Sequence, residues 1–111
     1  MLIDDSELDD RAAEKAREIY REEFGLLSPE RIRNFRNRLT LNQQDFAQLI
    51  GVSPNTMALY EAGAFPTTAH NRLLKLLMHD DRNIRDYIAA NAQQIPSRIQ
   101  EQVNKVLRSG D

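Results

Sequence analysis

Leu41 to Gly63, LNQQDFAQLIGVSPNTMALYEAG, holds two short helical stretches, each opened by its own cap and each stopped by a glycine. In the first, Asn42 stands at the N-cap with Asp45 at N3, and Leu41 and Phe46 occupy the two positions that close a hydrophobic staple. Gly51 follows where a left-handed residue is wanted after a helix. The second stretch repeats the grammar: Ser53 is the cap, Pro54 falls at N1 where a missing N–H costs nothing, Val52 and Met57 are the staple, and Gly63 ends it. Two capped helices joined by a tight glycine turn are the layout of a DNA-reading helix-turn-helix.

The second stretch divides into two faces at about 100° per residue. With Asn55 as zero, Met57 falls near 200° and Tyr60 near 140°, so these two point into a core. The opposite face carries Asn55, Leu59, Ala58 and Ala62, a small and weakly polar surface suited to lie in a groove.

The residues Leu41-Asn42-Gln43, Phe46-Ala47, Gly51-Val52-Ser53, Met57, Tyr60-Glu61 and Gly63 resemble the pattern of the lambda and 434 repressor (Xre) type of helix-turn-helix. Further out, Leu26 to Arg33, Tyr60 to Gly63 and Leu73 to Leu77 are similar to the DNA-binding half of MqsA (YgiT-type) antitoxins, a likeness that covers roughly residues 20 to 90. That family usually carries an N-terminal zinc module built on paired Cys-x-x-Cys, whereas this chain has no cysteine. Either the chain starts after such a module or it is a form without one. The resemblance also implies a structural pair, in which Arg36 at the margin of one helix reaches Glu61 at the margin of the next.

A length of 111 residues sets one domain of a few helices. With 41% apolar and 29% charged residues the composition is that of a globular protein with some exposed segments. There is no run of 18 apolar residues and no basic-then-apolar start, so neither a membrane span nor a secretory signal is expected. Zero cysteines exclude disulfides and thiolate metal sites and fit a cytoplasmic setting. The net charge of −2 hides an asymmetry: residues 1–23 hold nine acids and four bases, while residues 24–111 hold eight acids and eleven bases. The excess gathers at Arg31, Arg33, Arg36 and Arg38, as in an acidic arm attached to a nucleic-acid-binding body, although a solvated helix face accounts for such a run as well.

Taken in order, residues 1–10 are expected to be frayed or extended, and a helix is expected from Asp10 to about Phe24 with Ala12, Ala16, Ile19 and Tyr20 as a thin stripe on the body. A docking arm for a second protein is the sharper reading of this segment. Ser28-Pro29 opens the next helix, with Ile32, Phe35 and Leu39 on one face. Beyond Gly63, Thr67 or Thr68 caps a helix whose Leu73, Leu74, Leu76 and Leu77 form the floor of the core, and Asp80 or Asp81 caps another with Ile84, Tyr87 and Ile88 inside. After Ile95-Pro96, Ser97 caps a last helix with a narrow stripe of Ile99, Val103, Val106 and Leu107. Such a helix is unstable alone, so it docks on its own body or on a second copy, and a contribution to a dimer contact is expected.

The expected architecture is therefore all-α, a five- or six-helix lambda-repressor-like domain: residues 1–27 an acidic arm with a helix, 28–93 the helix-turn-helix domain, 94–111 a C-terminal amphipathic helix. The expected function is a sequence-specific DNA-binding repressor, a homodimer on a palindromic operator and the antitoxin of a toxin–antitoxin pair. Asn55, Thr56 and Leu59 would face bases; Asn42, Gln43, Ser53 and Thr68 would hold phosphates. The alternatives are a module that binds a toxin or other factor with DNA secondary, and a phage-type repressor outside toxin–antitoxin systems. No phosphate loop, nucleophile elbow or paired metal carboxylates occur, and His70 and His79 are nine residues apart rather than at metal-pair spacing, so no cofactor, metal or catalytic residue is expected.

Overall fold

In the computed structural model, which describes residues 6–109, the chain is all-α and its helices run α1 (Ser6–Phe24), α2 (Pro29–Arg38), α3 (Gln43–Ile50), α4 (Pro54–Ala62), α5 (Thr68–His79), α6 (Asp81–Ala90) and α7 (Ser97–Ser109). That is seven helices among the described residues where five or six were expected. The arm and the C-terminal segment are full helices of 19 and 13 residues, in addition to the five between them.

The caps fall where side-chain chemistry sets them. Ser28, Asn42, Ser53, Thr67 and Asp80 each accept a hydrogen bond from a backbone N–H in the first turn of the helix that follows. The ends of α1 to α4 share one device as well: an N–H two or three residues past the end bonds the carbonyl five residues back. It joins Leu26 to Arg21, Leu41 to Arg36, Val52 to Ala47 and Ala64 to Leu59. Three of these turns run through glycine, and the fourth runs through Thr40, held at φ 58° without one. Gln102 of α7 donates to both the carbonyl and the hydroxyl of Thr40, which fixes that strained residue in place.

One hydrophobic core unites α2 to α7. Ile32, Leu39, Phe46, Leu49, Met57, Leu74, Leu77 and Ile84 are sealed in it, together with Ile99, Val103 and Leu107 of α7. Three of the four stripe residues of α7 are thus spent on its own body, with Val106 half-buried beside them, which removes the main reason to assign this helix to a contact between copies. Ser97 is the first helical residue rather than a cap, because the first intrahelical bond runs from Gln100 N to Pro96 O. Of the four leucines expected to floor the core, Leu74 and Leu77 do so, Leu73 is half-buried and Leu76 is exposed. Four leucines in five residues span more of a helix than one face can bury.

The arm departs most from expectation. Its helix begins at Ser6, not Asp10, since negative sequence is favourable at the positive end of a helix dipole; residues 1–5 lie outside the described part. Ala12, Ala16, Ile19 and Tyr20 are all exposed, and among the described side chains of residues 11–24 the buried one is Arg21. Arg21 lies about 150° around the helix from the centre of the apolar stripe, so most of the stripe faces away from the body, and its end at Tyr20 meets the body by stacking on Phe65 at 4.6 Å. The molecule is accordingly long, 58 × 24 × 24 Å, with a radius of gyration of 16.5 Å against about 13 Å for a compact chain of this length. No helix among the described residues is long and apolar enough to cross a membrane.

Candidate nucleic-acid interface

Helices α3 and α4 meet through the turn Gly51-Val52-Ser53, and α4 rests on both α3 and α2. Met57 and Tyr60 are buried, so the inward face of α4 is the one its periodicity assigns. On the other side Asn55 is exposed and Leu59 is 52% exposed, with Ala62 beside them in solvent. The structure therefore brings Asn55 and Leu59 onto one open face, one helical turn apart.

Thr56 is placed differently. It is half-buried, its N–H bonds Ser53 Oγ at 3.0 Å, and the Ser53 hydroxyl donates to its Oγ1 at 2.9 Å. Thr56 and Ser53 thus close the start of α4 on each other. Asn42 is exposed and its Oδ1 accepts from Asp45 N at 2.7 Å, leaving its amide nitrogen outward; Gln43 beside it is half-buried. Thr68 is exposed as the first residue of α5, after the cap Thr67. The N-termini of α3, α4 and α5 each present backbone N–H groups, the chemistry that attracts anions.

The back and the far end of α4 are fixed by three arginines. Arg36 grips Glu61 with two bonds of 2.9 Å, Nε to Oε2 and Nη2 to Oε1, and its remaining Nη1 donates to Leu41 O. Arg33 donates to Glu61 O, and Arg21 donates to Gly63 O at 2.9 Å. Positive side chains at the carbonyl end of a helix complement its dipole. The Arg36–Glu61 pair is present as the resemblance implied. Two further arginines of the basic run are engaged too, Arg33 here and Arg38 with Asp81, so among the described residues Arg31 is the member of that run without such a partner. The run of four is mostly fold-holding chemistry rather than a basic face.

Three contributors escaped sequence reading. Arg21 stands among the charges of the acidic arm with nothing local to single it out. His70 drew attention only as a partner for His79 in a metal pair, yet its Nδ1 lies 2.7 Å from Tyr60 Oη and ties the start of α5 to α4. Asn71 is buried, accepting from Leu27 N and donating to Gly25 O, and it locks the junction between α1 and the body. A signal for Asn71 exists in its place on the buried line with Leu74 and Leu77, where an amide needs partners. Among the described residues no three His, Cys, Asp or Glu side chains converge as metal ligands would. No protein-family model, curated protein or solved structure matches the chain.

Proposed function

We propose that this chain is a sequence-specific DNA-binding repressor with a lambda-repressor-like helix-turn-helix in α2–α5, acting as a homodimer on a palindromic operator as the antitoxin of a toxin–antitoxin pair. The observation that carries the reading is the state of α4. Its back is buried, its C-terminal end is held by Arg21, Arg33 and Arg36, and its remaining face offers Asn55 and Leu59 to solvent with nothing of its own chain over them. A rigid helix with a small, open face is what insertion into a major groove requires.

In this reading the Asn55 amide pairs with an adenine edge and Leu59 rests on a thymine methyl. Asn42, Gln43, Ser53 and Thr68 lie at helix starts where phosphates are held, Ser53 and Thr56 serving mainly to shape the start of α4. The test is binding of wild type, Asn55→Ala and Leu59→Arg to DNA from upstream of the chain's own gene and to scrambled DNA over a salt series. Asn55→Ala is expected to lose about 1–3 kcal/mol on the specific site while keeping its non-specific affinity and salt slope. Leu59→Arg should raise non-specific affinity and shift preference toward guanine. Equal weakening on both DNAs, or none, removes α4 as the reading helix.

A second reading, a module that binds a toxin or other protein with DNA secondary, is favoured by the engagement of Arg33, Arg36 and Arg38 within the fold, which leaves less positive charge for phosphate.

A further inference from the structure

We propose that the crevice between the end of α1 and the outer stripe of α5 is a docking groove for an acidic segment of another protein, one that sets a bulky apolar side chain beside its carboxylates. The apolar half of the groove is a surface cluster: Ile19, Tyr20, Phe24 and Phe65 are 53%, 44%, 58% and 38% exposed, more than scattered single residues. Tyr20, Phe24 and Phe65 line a hollow of about 400 Å³ together with Gly25, Arg72 and Lys75. Helix α5 supplies the other half. Its sequence TAHNRLLKLLMH holds no acid, and Thr68, Arg72, Lys75 and His79, all exposed, fall within an arc of about 60° along it. The Lys75 ammonium lies over the joint between α1 and α2, where a Cβ at Gly25 would stand 3.1 Å from it. A second hollow, lined by Arg31, Lys75, Met78 and His79, continues from Lys75 toward the end of α5. Among the described residues Arg31, Arg72 and Lys75 make no ion pair.

Charge and ring geometry together identify the occupant. Cations without partners beside exposed aromatic rings call for an anion that also carries an apolar group. A nucleic acid is one such anion, but a stacked base needs a free ring face. Here the rings spend their faces on one another: Phe65 stacks on Tyr20 at 4.6 Å and 17°, Phe24 tilts against Tyr20 at 4.5 Å, and the Arg21 guanidinium lies over Phe65 at 5.6 Å. Ring edges stay open, and they suit an aliphatic or aromatic side chain. A nucleic acid also carries charge on every unit, and Glu18 and Glu22 stand in the crevice on the other flank of α1 with Arg31 and Lys75. A peptide can set its acids opposite Arg72 and Lys75 and keep them off that flank. A second copy paired face to face would lay the basic stripe of α5 against itself. The stripe from Thr68 to His79 is about 16 Å long and spans about five residues of an extended peptide. The anchor would enter among Tyr20, Phe24 and Phe65, with carboxylates at Arg72 and Lys75. The proposal goes beyond the DNA reading and does not rest on it, although Thr68, assigned above to a phosphate, borders the groove.

Fluorescence anisotropy on the full chain tests this with end-capped, labelled octapeptides in which a pair of Leu, Phe or Trp stands between Asp-Ser-Asp on either side. At least one should bind saturably, and its counterparts with Asn for Asp, or with Ala at the anchor, should bind about tenfold more weakly. These changes are made in the peptide, so they decide the matter even where a protein variant unfolds. Arg72→Glu/Lys75→Glu should weaken binding by about tenfold as well, and Phe24→Ser should weaken it severalfold. All three positions are exposed, and the melting midpoint checks that each variant keeps the fold. Arg85→Glu/Lys105→Glu, an equal charge reversal at exposed positions of α6 and α7, should bind as wild type does. No saturable binding by any of the peptides, or equal weakening by the control reversal, would overturn the proposal. So would tighter binding of an oligothymidine through the same residues, which would make the groove a nucleic-acid site. A wild-type dimer in sedimentation equilibrium that Arg72→Glu/Lys75→Glu dissolves would overturn it too, since a second copy would then cover the groove.

Discussion

Glu61 is a carboxylate with 4% of its side chain exposed, and what makes that tolerable is the two-pronged grip of Arg36, itself 17% exposed. A planar guanidinium matches a carboxylate in both oxygens, which a lysine in the same place would not do. Removing one member is therefore worse than removing both. Arg36→Met leaves Glu61 buried and unpaired and should cost about 3–5 kcal/mol, while Arg36→Met with Glu61→Leu should recover much of that loss. Urea denaturation of the three proteins measures it. A loss well under 1 kcal/mol for the single variant would mean that water reaches Glu61 and that the pair does not hold α4.

At the scale of elements, the joint between α3 and α4 depends on one left-handed residue. Gly51 sits at φ 91°, and a Cβ built there meets no atom within 4 Å, so its replacement is opposed by backbone conformation alone. Gly51→Ala should cost about 1–2 kcal/mol, with no compensating shift of neighbours. A destabilisation of several kcal/mol would show that the turn had lost its geometry as well. The docking of α7 on α3 has an electrostatic part that pH can probe. The Arg98 guanidinium, bonded to both oxygens of Asp45 at 2.7 and 3.1 Å, holds that carboxyl below its usual value of 3.8. At the start of α6, Arg82 likewise holds Asp80 at about 2, by a side-chain bond and then by its backbone N–H. A carboxyl whose folded pKa is depressed contributes stability above its unfolded pKa and loses that contribution as pH falls through the folded one. Stability should thus decline below about pH 4, and Asp45→Asn should make that decline shallower. An unchanged acid limb in thermal melts would show that the pair has no role in acid unfolding.

For the whole molecule, the two ends of the chain have opposite roles although both are amphipathic helices. Ending the chain at Gln94 removes the buried Ile99, Val103 and Leu107, each worth about 1.5–3 kcal/mol of burial. Their sum is most of the stability of an ordinary domain, about 5–15 kcal/mol. That truncation should abolish cooperative unfolding, whereas deleting residues 1–20 should leave the melting midpoint of the body nearly unchanged at a dilution where the chain is monomeric. Calorimetry of both truncations separates them. A stable body without α7 would contradict its place in the core.

Local chemistry was enough to determine the helices of the body. Ser53-Pro54, Gly51 and the spacing of Met57 and Tyr60 act within one or two turns, so the caps, the joint and the inward face of α4 could be read from the residues themselves, and with them the open Asn55 and Leu59. Which amphipathic stripe is covered could not be read that way. The stripes of α1 and α7 are both regular, and a stripe records that a face is apolar without recording what lies against it. Only the tertiary structure decided that Ile99, Val103 and Leu107 complete the core while Ile19 and Tyr20 stay in solvent. It does so through long-range contacts such as Arg98 to Asp45, Gln102 to Thr40 and Arg21 to Gly63, which join residues 42 to 62 positions apart and leave no mark on the local pattern of either partner.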